Sequence, residues 1–213
     1  MSSKKDLSTF RKEYVLSALK EEDVPLDPLV LFSQWLDEAI ERGLPEPNAM
    51  TLATVSAEGH PAARVVLLKE VSEGGFVFYT NYQSAKGREL AASPHAALVF
   101  LWLELQRQVR ITGRADKISP MASDAYFAIR PRNSQIGALV SPQSRIITGR
   151  EVLEKEFDEL NRKSGEISRP ANWGGYRLVP KSIEFWQGRE NRLHDRLLYT
   201  GHGNDWEINR LAP

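Results

Sequence analysis

Three strand-like runs, Ala49–Ser56, Ala62–Val71 and Phe76–Asn81, are separated only by Ala57-Glu58-Gly59-His60-Pro61 and Glu73-Gly74-Gly75. A parallel pair needs a crossover of a dozen or more residues, and these turn-rich breaks leave no room for one. The runs must therefore pair as an antiparallel meander. After a short helix from about Ser84 to Ala92, two further β-branched and aromatic runs, His95–Leu105 and Gln108–Ile118, follow with only a brief polar break between them.

Helices bracket this meander. Asp27-Pro28 reads as an N-cap with proline at the first helical position, opening a helix that carries Leu29, Phe32, Trp35, Leu36, Ala39 and Ile40 on one face and stops at Gly43. Ser119-Pro120 repeats the signal for a helix to about Ile129, a shorter helix spans Ser134 to Val140, and an amphipathic one runs from Arg150 to Lys163. The last third returns to short strands at Tyr176–Val179, Ser182–Gln187, Arg192–Tyr199 and Trp206–Leu211. With 213 residues, 41% of them hydrophobic, one core is affordable. The expected product is a single α+β domain over 1–213, mainly antiparallel: a closed or nearly closed barrel with helices packed around it.

Composition removes several kinds of chemistry. Lys+Arg and Asp+Glu number 28 each, so no global basic field draws in nucleic acid. Zero cysteine excludes disulfides, thiolate catalysis and cysteine metal sites, and suits a cytoplasmic protein. No histidine pairs with a second histidine or a carboxylate pair at ligand spacing, so no metal is expected. The apolar run Ala96 to Leu103 is far too short to span a membrane, and the first residues lack a signal core, so the reading is a soluble, unexported chain.

Neither a P-loop nor a dinucleotide fingerprint is present, so any phosphate must be held by side chains. Arg64 and Lys69 on one strand, Lys86 at a helix start, and Arg130 and Arg132 after another helix are the candidates. Alternation puts Val65, Leu67 and Lys69 on one strand face and Arg64, Val66 and Leu68 on the other, which would let the two cations serve two pockets. An edge-strand lysine that only blunts aggregation is the competing explanation. Likewise, if Arg192-Leu193-His194-Asp195-Arg196 is a strand, Arg192, His194 and Arg196 share a face. Such a trio repels itself unless an anion or an electron-rich ring lies between.

Taken in order, Arg64-Val-Val-Leu-Leu-Lys69, Phe78-Tyr-Thr-Asn81, Arg107-Gln-Val-Arg110, Tyr126 to Gly137, Glu184-Phe-Trp-Gln-Gly188 and Arg192-Leu-His-Asp-Arg196 resemble the motifs of the pyridoxine/pyridoxamine 5′-phosphate oxidase family. The resemblance covers nearly the whole chain. It implies an FMN-binding split β-barrel, a homodimer with FMN at the subunit interface, and a segment 1–25 that is flexible, with 173–213 completing the site. It further implies that Arg64, Lys86, Gln143 and Ser144 grip FMN, chiefly its phosphate. The backbone of Val65, Val66, Leu67, Leu68 and Lys69, with Tyr79 and Thr80, would line the flavin, and Gln108, Trp186 and Arg196 would reach it from the partner subunit. The substrate phosphate would fall to Lys69, Tyr126, Arg130 and Ser134. Arg192, Leu193 and His194 would lie over the pyridine ring, and Arg11, Lys12, Glu13 and Tyr14 would fold across it.

The implied reaction is FMN-dependent oxidation of pyridoxamine or pyridoxine 5′-phosphate by dioxygen to pyridoxal 5′-phosphate and hydrogen peroxide. In it, hydride passes from the substrate's C4′ to the flavin. Arg192 and His194 are the candidate catalytic groups, and which one takes the proton stays open. Where many members of the family have Ser-Arg-Lys, this chain has Ser84-Ala85-Lys86. One charge-assisted contact, of roughly 1.5–3 kcal/mol, is then missing unless Arg88 replaces it. Two rival readings remain: a split-barrel reductase using FMN or a deazaflavin, and a non-catalytic carrier of pyridoxal phosphate or FMN.

Overall fold

The computed structural model describes residues 6–9, 13–203 and 205–213. The expectations for Arg11 and Lys12 lie outside the described residues. The chain divides into two compact units: the described residues up to Pro47 with 100–110 and 182–213, and residues 48–99 with 111–181. Strands β5 (His95–Trp102), β6 (Arg107–Lys117) and β7 (Trp173–Gln187) contribute residues to both.

In the larger unit, β1 (Ala49–Val55) pairs antiparallel with β2 (Pro61–Leu67), Leu52 opposite Arg64, and with β5 on its other side. Strand β3 (Glu70–Ser72) pairs with β4 (Gly75–Asn81), and β4 pairs with β7, Asn81 opposite Trp173. Four helices belong to this unit: α2 (Ala85–Ala92), α3 (Pro120–Ala128), α4 (Arg132–Val140) and α5 (Arg150–Asn161). The cap expected at Ser119 is present, its Oγ accepting from Ala122 N–H, and the structure adds one at Ser84, whose Oγ accepts from Gly87 N–H. Phe76, Phe78, Leu98, Ile111, Phe127 and Leu178 form its core.

In the smaller unit, Asp27 caps α1 (Pro28–Glu41) by accepting from Leu29 N–H. The apolar stripe of α1 buries Phe32 edge-on to Phe100 and Trp35 edge-on to Phe185. Each such ring contributes about 1.5–3 kcal/mol by burial. Strand β8 (Asp195–His202) pairs with β7 and then with β9 (Asp205–Arg210). Hydrogen-bonded neighbours therefore run β2-β1-β5-β6-β7-β4-β3, with β8 added to β7 and β9 to β8. The mainly antiparallel class expected from the spacing of the runs is the fold observed.

Four local expectations are corrected. The run Ala62–Val71 is two strands, because Leu68 N–H bonds to Asn48 O while Lys69 N–H bonds to Val77 O, so the chain changes partner there. The two runs around Pro180 are one strand. Pairing of β7 with β4 ends at Leu178 and with β8 begins at Ser182, so the proline removes no bond from either ladder. Strand β5 ends at Trp102 and gives way to a 3-10 turn, Leu103–Leu105, closed by Gln106 in the left-handed region. Finally, Arg192-Leu193-His194 is not strand: Asn191 and Arg192 have φ of 55° and 65°, which a strand cannot hold, and β8 starts at Asp195.

Candidate active site

In the larger unit, a cavity of about 500 Å³ is lined by Val65, Val66 and Leu67 of β2, Tyr79 to Asn81 of β4, and Lys86, Tyr126, Gln143 and Trp173, with Arg64, Lys69 and Arg130. Among the described residues, four cations and no carboxylate line it. Arg64 and Lys69 thus open onto one space and not two, since β2 ends at Leu67 and the alternation that would separate them stops there. Leu68 points into the core, only 4% exposed.

Arg64 is held from behind. Its guanidinium donates to Glu89 Oε2 at 2.9 Å and to Thr54 Oγ1, and Thr54 Oγ1 donates in turn to the same carboxylate. Thr54 sits two residues past Leu52, the cross-strand partner of Arg64, so the pair meets on one sheet face. Burial alone would raise the Glu89 pKa. The hydrogen bonds from Thr54 and Arg64 and the charges of Arg64 and Lys86 outweigh it and hold the carboxyl below its usual value. Lys86, 9% exposed, donates to Thr80 Oγ1 at 3.3 Å, and Thr80 donates to Gln143 Oε1 at 3.3 Å. Burial, then the charge of Arg64, lowers the pKa of its ammonium. An anion brought to this corner would act in the opposite sense.

At another part of the wall three rings lie parallel: Tyr79 on Tyr126 at 3.8 Å and on Trp173 at 5.5 Å. Burial raises the pKa of both tyrosines, so they remain hydroxyl donors at neutral pH. The Arg130 guanidinium lies 4.5 Å over the Trp173 ring, and its Nη1 is buried with no hydrogen-bond partner among the described residues. An unsatisfied guanidinium nitrogen is costly unless a ligand oxygen completes it. Ser134 joins Arg130 and Trp173 around a neighbouring space of about 310 Å³.

The smaller unit gathers the other candidates. Tyr14 meets Trp186 and His194 edge-on, at 5.7 Å each, and the rings of Trp186 and His194 lie 4.6 Å apart. His194 Nδ1 accepts from Arg189 N–H, which fixes the neutral tautomer with its proton on Nε2. Burial and the charge of Arg192 lower its pKa. Arg196 does not share a strand face with Arg192. It donates to Glu184, a carboxylate 3% exposed that also binds Arg110 at 2.8 Å, and to Ala212 O. Gln108 is half-buried on β6, Leu193 and Glu13 are exposed, and Ser144 is an exposed residue at φ 70°.

Several residues fall elsewhere. Arg88 turns outward to Gln83 O and does not line the cavity, so it does not fill the place of an arginine at Ala85. Arg132 ties α4 to the carbonyls of Lys163 and Gly165. Thr54, Glu89 and Trp173 were not singled out from sequence, and Glu184 only as the first residue of a motif, with no role given to it. A lone carboxylate on a helix looks like surface until its cation, 25 residues away, is placed beside it.

The sequence model described as Pyridoxamine 5′-phosphate oxidase matches residues 36–164. The chain belongs to this family and is an oxidoreductase. A second model, the Pyridoxine 5′-phosphate oxidase C-terminal dimerisation region, matches 173–213 and supports a homodimer. The chain is 56% identical over 209 residues to the pyridoxine/pyridoxamine 5′-phosphate oxidase of Cupriavidus necator, covering 97% of this chain and 99% of that one. It is 56% identical over 210 residues to that of Trichormus variabilis, covering 97% and 98%. Among solved structures, PhzG from Burkholderia lata 383, in complex with tetrahydrophenazine-1-carboxylic acid, superposes with a TM-score of 0.89 at 33% identity, covering 93% of this chain and 99% of that one. A pyridoxamine 5′-phosphate oxidase-related, FMN binding protein from Nostoc punctiforme PCC 73102 shares the fold, with a TM-score of 0.70 at 19% identity over 89% and 98% of the two chains. The mainly antiparallel architecture is the split-barrel fold that these structures share.

Proposed function

We propose that this chain oxidises pyridoxamine 5′-phosphate and pyridoxine 5′-phosphate with dioxygen to pyridoxal 5′-phosphate and hydrogen peroxide, the amine also taking up water and releasing ammonia. The observation that carries this reading is the cavity with four cations and no carboxylate, in which Arg130 keeps an unpartnered nitrogen. Two phosphorylated ligands, FMN and substrate, match that charge. When bound, FMN would supply the two-electron acceptor for the bond broken at C4′ and pass the electrons to dioxygen.

The protein's part is binding and orientation. Arg64, Lys86, Gln143 and Ser144 would hold the FMN phosphate, with Val65 to Lys69, Tyr79 and Thr80 along the ring. Lys69, Tyr126, Arg130 and Ser134 would take the substrate phosphate. Arg192, Leu193 and His194, with residues 11–14, would cover the pyridine ring, Arg192 or the neutral His194 receiving the proton. In the homodimer Gln108, Trp186 and Arg196 would reach the flavin of the partner. No described helix is long and apolar enough to cross a membrane; with no cysteine in the chain, we place the enzyme in the cytoplasm.

The likeness to PhzG raises a second reading, a polycyclic carboxylic acid as substrate. One experiment separates them. The purified protein is checked for a flavin spectrum, then given pyridoxamine 5′-phosphate, pyridoxine 5′-phosphate or tetrahydrophenazine-1-carboxylic acid in air while product and peroxide are followed. Turnover of the phosphorylated vitamers supports the proposal. Bound flavin with turnover of the carboxylic acid alone, or of none, overturns it.

A further inference from the structure

Residues 13–19 form neither helix nor strand, yet side chains of the smaller unit hold them at nearly every second position. Gln106 Oε1 accepts from two successive backbone N–H groups, Val15 at 3.0 Å and Leu16 at 3.3 Å. Ser17 Oγ donates to Gln187 Oε1, and Leu19 N–H donates to Asp195 Oδ2 while its carbonyl accepts from Arg210. Gln106 is itself fixed: its carbonyl accepts from Gly188 N–H at 2.8 Å and from Gln187 Nε2 at 3.2 Å. The consequence appears one residue upstream, where the Tyr14 ring meets Trp186 and His194. Gly188 leaves space for that ring, since a Cβ there would lie 2.7 Å from Tyr14 Cγ.

Ordinary packing does not account for Gln106. It is a polar residue, 5% exposed, held at φ 54° where a side chain is disfavoured, and its oxygen faces the free donors of another segment. An apolar residue would fill the volume but remove the acceptor that both N–H groups share, leaving them to water and the segment unlatched.

We propose that Gln106 is a positioning residue: its side-chain oxygen latches residues 13–17 to the smaller unit so that Tyr14 closes on His194 and Trp186. The inference rests on the proposed function only in taking Tyr14 and His194 to face the substrate. The latch stands on the hydrogen bonds alone.

The test compares the FMN-loaded wild-type protein with Gln106→Met, which keeps length without an acceptor, and Gln106→Glu, which restores one. Both bear the same left-handed backbone cost. Two readouts are taken: the rate of tryptic cleavage after Lys20, which requires the segment to detach, and the KM for pyridoxamine 5′-phosphate. Losing two hydrogen bonds should shift the closed-to-open ratio about tenfold. Cleavage and KM should both rise about tenfold in Gln106→Met with FMN content unchanged, and both should return towards wild type in Gln106→Glu. Unchanged cleavage in Gln106→Met, or an equal defect in Gln106→Glu, overturns the latch. Faster cleavage with an unchanged KM overturns the positioning of Tyr14 for substrate. Absence of turnover in the wild type would instead remove the proposed function, while the cleavage rates still decide the latch.

Discussion

Removing the Arg64 guanidinium should damage two properties that a second substitution can separate. In Arg64→Met, Glu89 keeps Thr54 and the more distant Lys86 but loses its ion pair. The two side chains are 21% and 14% exposed. Stranding one member of a buried pair costs about 3–5 kcal/mol. With residual exposure and two remaining neighbours, a loss of about 2 kcal/mol for the apo-protein is expected. FMN affinity should fall separately, by about 10- to 150-fold, for the roughly 1.5–3 kcal/mol of a charge-assisted phosphate contact. Adding Glu89→Leu removes the stranded carboxylate, so the double variant should regain stability to within about 1 kcal/mol of wild type and still bind FMN as weakly as the single one. Urea unfolding of the apo-proteins and quenching of flavin fluorescence measure the two quantities. Recovery of FMN affinity in the double variant would refute the direct contact, and failure to recover stability would refute the pairing.

Arg130→Met should raise the KM for both phosphorylated vitamers by about tenfold or more while leaving FMN content intact, and steady-state kinetics showing an unchanged KM would remove it from the phosphate site. For Arg192→Ala, a fall in turnover of about 10²-fold or more with FMN retained is expected; an unchanged rate would sink its role. His194 has a lowered pKa in the folded chain, so the unfolded state binds its proton first: stability should be constant well above pH 6.5 and decline as pH falls below it towards the folded value. A His194→Gln variant with the same pH dependence of unfolding would refute this assignment. Gly113→Ala would place a Cβ 2.1 Å from Val179 O, between paired backbones that cannot yield cheaply. It should cost roughly 3 kcal/mol, a drop of about 10 °C in Tm by calorimetry, and a drop under 2 °C, the low end for even 1 kcal/mol in a chain of this size, would contradict the packing.

Much of the fold was written in local chemistry. Asp27-Pro28 and Ser119-Pro120 announced their helices because a cap acts within three residues. The meander followed from breaks too short for a crossover, and Arg64, Lys69, Lys86 and Arg130 were legible as a cationic set because no backbone phosphate motif was available. What failed was every inference carrying alternation past a point where the chain changes partner. Lys69 left the face assigned to it because its N–H goes to β4 and not β1. Arg192 parted from Arg196 because two left-handed residues precede β8. Pro180 took no bond from the β4 or the β8 ladder because it falls between the two. Residue type and spacing thus determined which elements form and which charges are available. Only tertiary structure decided that Glu89 stands behind Arg64, that Glu184 holds Arg196, and that Gln106 reaches back 91 residues to the segment carrying Tyr14. Such pairings depend on three-dimensional proximity between side chains far apart in sequence, which no local pattern encodes.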